Sequence, residues 1–133
     1  MKNAMDLQVS EDESQAPLQM PICLEELYAY ECVKLKSMPG LLQWEKLRFL
    51  NVSGCSELEE LPSMETLVSL EELRTDGCVK LKSIRGLAQL TKLRLLDVSG
   101  CSELEELPCM ESLTSLQELW AGGCVKLKGS GRL

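Results

Sequence analysis

From Leu24 onward, apolar residues recur every three positions, with one two-residue step in each 23-residue period. The frame Leu47, Leu50, Val52, Cys55, Leu58, Leu61, Met64 and Leu67 returns as Leu93, Leu96, Val98, Cys101, Leu104, Leu107, Met110 and Leu113. Between them lies Leu70, Leu73, Thr75, Cys78, Leu81, Ile84, Leu87 and Leu90, with an earlier copy from Leu24 and an incomplete last one from Leu116. A strict three-residue spacing drifts around an α-helix, which needs alternating steps of three and four. The two-residue step, as in Leu96-x-Val98, is the period of a strand. Each coil is therefore expected to supply one short strand, and stacked coils to form a parallel inner sheet. The intervening segment, such as Gly86 to Leu93, has room for about one helical or 3₁₀ turn on the opposite, convex side.

The motif L-x-x-L-x-[small apolar]-x-x-C-x-x-L-x-x-L is that of a leucine-rich repeat, whose period falls between about 20 and 29 residues. The expected fold class is α/β: a curved leucine-rich-repeat solenoid over residues 18–133. About five coils are expected, the last incomplete. Residues 1–17 are read as an irregular acidic segment or a degenerate coil. Repeat arrays need polar terminal caps, and Gly129 to Leu133 is too short to cover the last coil.

Two kinds of coil alternate. One carries Val-Lys-Leu-Lys (Val33 to Lys36, Val79 to Lys82, Val125 to Lys128), the other Ser-Glu-Leu-Glu-Glu-Leu-Pro (Ser56 to Pro62, Ser102 to Pro108). Equivalent positions in adjacent coils lie about 5 Å apart, so three columns alternate in sign. They are Lys34, Glu57, Lys80, Glu103 and Lys126; Lys36, Glu59, Lys82, Glu105 and Lys128; and Glu25, Arg48, Glu71 and Arg94, ending in Gln117. Coils of one kind only would stack like charges, so the alternation guards register. Cys32, Cys55, Cys78, Cys101 and Cys124 form a further column, expected to be buried, free thiols in tight turns. Cys23 and Cys109 lie off it.

Composition then narrows the function. Lys plus Arg is 14 against 21 Asp plus Glu, a formal charge of −7, which disfavours nucleic acid as a partner. No histidine is present, which removes Ser-His-Asp and Cys-His catalysis. The cysteines lack C-x₂₋₄-C metal spacing. No apolar run resembles a signal peptide or a membrane span, so a cytoplasmic or nucleo-cytoplasmic location with reduced thiols is expected. Neither an enzyme nor a cofactor, metal or membrane partner is expected.

Binding is assigned to the outward strand positions of the concave face. Three columns point there: Glu26, Phe49, Glu72, Leu95 and Glu118; Tyr28, Asn51, Arg74, Asp97 and Trp120; and Tyr30, Ser53, Asp76, Ser99 and Gly122. Of the five aromatic residues only Trp44 falls on a core position. The near-identical copies LRFLNVSGCSEL and LRLLDVSGCSEL differ only at Phe49/Leu95 and Asn51/Asp97, both on this face. Tyr28, Tyr30, Phe49, Asn51, Arg74, Asp76, Leu95, Asp97 and Trp120 are the candidate contacts for a protein partner, a mixture enriched at protein interfaces.

The stretches LRLLDVSGCSELEELPCMESLTSLQEL and LEELRTDGCVKLKSIRGLAQLTKLRLLDVSGC resemble the leucine-rich repeats of plant intracellular immune receptors. The class most alike joins a TIR domain, a nucleotide-binding domain and C-terminal repeats. The resemblance covers residues 18–133 and implies an effector-sensing or autoinhibitory repeat region in defence signalling. The partner it implies is a pathogen effector, a guarded host protein or the receptor's own nucleotide-binding domain. The chain departs from such receptors in lacking a G-x-x-x-x-G-K-[ST] phosphate loop and room for a TIR domain. The resemblance thus implies a fragment, a truncated product or a repeat-only relative. The alternative is a stand-alone intracellular scaffold with no nucleotide switch.

Overall fold

The two-residue steps of the sequence become strands. A computed structural model describes residues 4–6, 24–38, 44–107 and 110–127. Strands β1 (Ala4–Asp6), β2 (Glu26–Tyr28), β3 (Phe49–Asn51), β4 (Glu72–Arg74), β5 (Leu95–Asp97) and β6 (Glu118–Trp120) form one sheet in sequence order. Every neighbouring pair is parallel, and from β2 onward the register advances by 23 residues, as in Phe49↔Glu72 and Glu72↔Leu95. The molecule is a parallel β-solenoid. β1 lies within the segment 1–17 and pairs Ala4 with Glu26. The rest of that segment, Cys23, Cys109, Lys128 and the residues after it lie outside the described residues.

Backbone pairing runs beyond the three residues of each strand. Around β4, Glu71 N–H donates back to Arg48 O (2.7 Å), while Thr75 and Gly77 N–H donate forward to Asp97 and Ser99 O (both 2.8 Å). On the far side of the coil sit 3₁₀ turns at Met64–Thr66, Leu87–Gln89 and Met110–Ser112. They close by i→i+3 bonds such as Leu67 N–H to Met64 O and Leu90 N–H to Leu87 O (both 2.9 Å). The α part of an α/β assignment does not appear: the described residues contain no α-helix. The reason is length, since the segment between strand and strand closes in single short turns.

The leucine columns fill the interior between strands and 3₁₀ turns. Leu50, Leu73 and Leu96, central in their strands, are at most 1% exposed. Burying each such side chain contributes about 1.5–3 kcal/mol. Trp44 takes the place that Leu67, Leu90 and Leu113 hold in later coils and is fully buried, its indole Nε1 without a hydrogen-bond partner among the described residues. Leu116, Leu119, Ala121, Cys124 and Leu127, in the last described coil, are only partly buried.

A turn follows each strand. Cys55 N–H bonds to Val52 O, Cys78 to Thr75 O and Cys101 to Val98 O, all at 3.1 Å. The third turn residue has positive φ, the sign a type II turn requires: Gly54, Gly77, Gly100 and Gly123 lie between +75 and +83°. In the first coil this place falls to Glu31, the only positive-φ residue other than glycine among those described (φ +50°). A side chain there costs about 1–2 kcal/mol, against about 0.5–1 kcal/mol for the greater chain entropy of glycine. Glu31→Gly should therefore raise stability by about 0.5–1 kcal/mol in urea unfolding. A lower midpoint would mean that the glutamate side chain contributes more than its backbone strain costs.

The cysteine column ties the turns together. Cys55 Sγ–H donates to Ala29 O (2.9 Å), Cys78 to Val52 O (3.3 Å), and Cys101 and Cys124 to Thr75 and Val98 O (both 3.1 Å). Val52 O thus accepts both the Cys55 amide of its own turn and the Cys78 thiol of the next coil. Burial pushes the Cys55 thiol up to about 12 and Cys101 to about 11, and raises Cys78 and Cys124 as well. All five column cysteines are free.

Of the three charge columns, one is a continuous ladder. Arg48 meets Glu25 (3.7 Å) and Glu71 (2.8 Å), and Glu71 also meets Arg94 (3.6 Å). The Lys34-to-Lys126 column forms separate pairs, Lys80–Glu57 and Lys126–Glu103, each at 2.9 Å and each reaching back one coil. These hydrogen bonds hold Glu57 and Glu103 below the usual carboxylate range, as Arg48 does Glu71. Lys36, Glu59, Lys82 and Glu105 form no ion pair within 4.0 Å among the described residues. Exposed ions gain little by contact and stay solvated.

Candidate functional site

The outer face of the sheet carries a repeated polar arrangement that begins with local sequence. In the strands of the Val-Lys-Leu-Lys coils the order is Glu-Leu-donor: Glu26-Leu27-Tyr28, Glu72-Leu73-Arg74 and Glu118-Leu119-Trp120. Leucine points inward, so the residues on either side of it share the outer face. In all three the carboxylate is held by the residue two positions on. Tyr28 Oη–H donates to Glu26, Arg74 Nη2 lies 3.7 Å from Glu72, and Trp120 Nε1–H donates to Glu118 at 3.3 Å. That bond to Glu26, with burial, pushes the Tyr28 phenol up to about 12.

The other coils place an Asx side chain in the second column. Asn51 Oδ1 accepts the Ser53 N–H (2.9 Å), and Asp97 Oδ1 accepts the Ser99 N–H (3.0 Å). Neighbouring coils are joined across the face: Ser53 Oγ–H donates to Asp76 (2.6 Å), Arg74 reaches Asp97 (3.8 Å), and Arg94 reaches Glu72 (3.5 Å). Tyr28 stacks on Tyr30 with ring centroids 5.7 Å apart, and the Arg48 guanidinium lies 5.1 Å from the centre of the Phe49 ring. The polar side chains of this face are held by one another and by nearby backbone.

All nine candidate contacts lie along this face, but they are not equally accessible. Tyr30 (55% exposed) and Trp120 (54%) stand out near opposite ends. Tyr28, Phe49, Asn51, Arg74, Asp76 and Asp97 are intermediate. Leu95 is only 8% exposed, although it occupies an outward position. Its register partners are Glu72 and Glu118, whose longer side chains flank it. Sequence reasoning passed over Glu26, Glu72 and Glu118 as contacts, although the Glu-Leu-donor triplet was there to find.

A hollow of about 160 Å³ is lined by Glu26, Tyr28, Phe49, Leu50, Asn51, Glu72 and Arg74. It is smaller than the roughly 300–1,000 Å³ of a small-molecule cleft and suits a single side chain. Among the described residues no three His, Cys, Asp or Glu side chains are grouped to hold a metal ion, and no helix is long and apolar enough to cross a membrane. No protein-family model matches the chain, and no curated protein matches it.

Proposed function

We propose that the solenoid is a leucine-rich repeat whose outer sheet face recognises another protein, and that it serves as the effector-sensing or autoinhibitory repeat region of a plant intracellular immune receptor. Its partner is a pathogen effector, a guarded host protein or the receptor's own nucleotide-binding domain, met in the cytoplasm. The reading rests first on one observation: Tyr30 and Trp120 are half exposed on the sheet face, while Trp44 is fully buried. Exposed aromatics among preorganised polar groups are the usual anchors of protein interfaces. The receptor type rests on the resemblance of the repeats to that family.

Tyr30→Ala with Trp120→Ala removes both anchors at positions outside the core. Tagged chain expressed in leaf cells and cross-linked before recovery should lose its cross-linked partners in this double variant. Lys80→Ala with Lys126→Ala, on the paired-ion side, should keep them. Anchor truncations cost about 2 kcal/mol or more each, so the two together should weaken binding by about a thousandfold. Identical partners for both variants would overturn the proposal.

A further inference from the structure

The sheet face is strongly acidic, and its acids are spaced regularly. Its three outward columns hold Glu26, Glu72, Glu118, Asp76 and Asp97 against Arg74, a formal charge of −4, and Arg94 reaches in from the ladder side to Glu72. The ladder sides, by contrast, interleave both signs, as in Arg48–Glu71 and Lys80–Glu57. The negative surplus is therefore carried on the same face as the exposed aromatics.

Within the first column, carboxylates alternate with the uncharged Phe49 and Leu95. Strands repeat at about 4.8 Å, so Glu72 and Glu118, two strands apart, are separated by about 9.6 Å. Glu26 is 6% exposed, whereas Glu72 is half-buried beside Arg74 (3.7 Å) and Arg94 (3.5 Å) and Glu118 is exposed beside Trp120. These two are therefore the glutamates of the column a partner reaches, an arginine at Glu72 competing with two long ion pairs. A polyproline II segment brings the same side of its chain round every three residues, about 9.3 Å. Trp120 beside Glu118 adds an aromatic surface for a guanidinium.

We infer that the sheet face binds a basic, extended protein segment that crosses the strands and presents arginine at every third residue to Glu72 and Glu118. The inference rests on the reading of this face as a protein-binding surface and adds the chemistry of its partner. Charge complementarity is what selects this occupant: an acidic segment would meet like charges, which cost affinity.

The probe is a fluorescent Arg-Pro-Pro repeat peptide titrated against the full chain, with a Glu-Pro-Pro repeat for comparison. The arginine peptide should bind, weakening as salt is raised. Glu72→Gln with Glu118→Gln should weaken it at least about tenfold. Glu57→Gln with Glu103→Gln removes the same charge from the paired-ion side and should change it less than about twofold. Circular dichroism establishes that both variants fold. Equal binding of the two peptides, or equal weakening by the two double variants, would overturn the inference. If the cellular partner is lost with Tyr30→Ala and Trp120→Ala but kept with Glu72→Gln and Glu118→Gln, the face is a binding surface and only its basic partner is wrong.

Discussion

Raising the pH from about 8 to about 10 is expected to remove about 4 kcal/mol of folding stability through three buried thiols. Cys55, Cys78 and Cys101 have no exposed surface, and each donates its S–H to a turn carbonyl in the preceding coil. In the unfolded chain they titrate near 9.0, whereas burial holds Cys55 at about 12, Cys101 at about 11 and Cys78 raised as well. Because the folded values are raised, the stabilisation is complete below the unfolded value. It is lost as pH rises from there through the folded values, while the unfolded chain alone gives up its protons. Each thiol then costs about 1.4 kcal/mol per pH unit. That total is a large part of the 5–15 kcal/mol typical of a domain. Urea unfolding under reducing conditions at the two pH values measures it. A Cys78→Ala variant should be less stable at the lower pH and show about two-thirds of the pH dependence. Equal stability at both pH values would mean that the thiols are not confined as described.

Gly86→Ala should destabilise the fold by about 2–5 kcal/mol. Gly86 precedes the 3₁₀ turn Leu87–Gln89 at φ +83°, where a side chain costs about 1–2 kcal/mol by conformation alone. A Cβ would also stand 2.6 Å from Glu65 N, 2.7 Å from Met64 N and 2.8 Å from Ser63 Oγ. Two of these atoms are backbone, and Met64 N–H is already bonded to Arg85 O at 2.7 Å, so the neighbouring coil has little freedom to withdraw. Forced overpacking of this kind adds about 1–3 kcal/mol. Gly122 is the comparison: nothing lies within 4 Å of its Cβ position, and Gly122→Ala should change stability by less than about 0.5 kcal/mol. Thermal melts of the two variants settle the contrast; similar midpoints would refute the close approach at Gly86.

The strands, their parallel order, the leucine interior and the inward cysteines follow from a period that can be counted. A 23-residue repeat leaves little choice in which residues stack. Less was legible where side chains choose among neighbours. Lys80 lies between Glu57 and Glu103 in its column but bonds only to Glu57, because one ammonium leans one way along the solenoid. The column Lys36 to Glu105 satisfies the same alternation and forms no side-chain ion pair among the described residues, since alternation makes pairing possible without making exposed ions bond. Leu95 counts as outward by parity of the strand yet is only 8% exposed, between its register partners Glu72 and Glu118. Glu31 in a left-handed turn is visible only by comparison with the glycine at that place in every later coil.

The two kinds of coil impose a parity rule on how such an array changes length in inheritance. Losing residues 49–71, a single period, would bring Arg48 against Arg94 and Lys34 against Lys80. Losing 49–94, two periods, would instead bring Lys34 against Glu103 and Arg48 against Gln117. Although the backbone repeats every 23 residues, the unit that can be copied or deleted without setting like charges face to face is 46. Descendants of this chain should therefore differ from it by even numbers of coils.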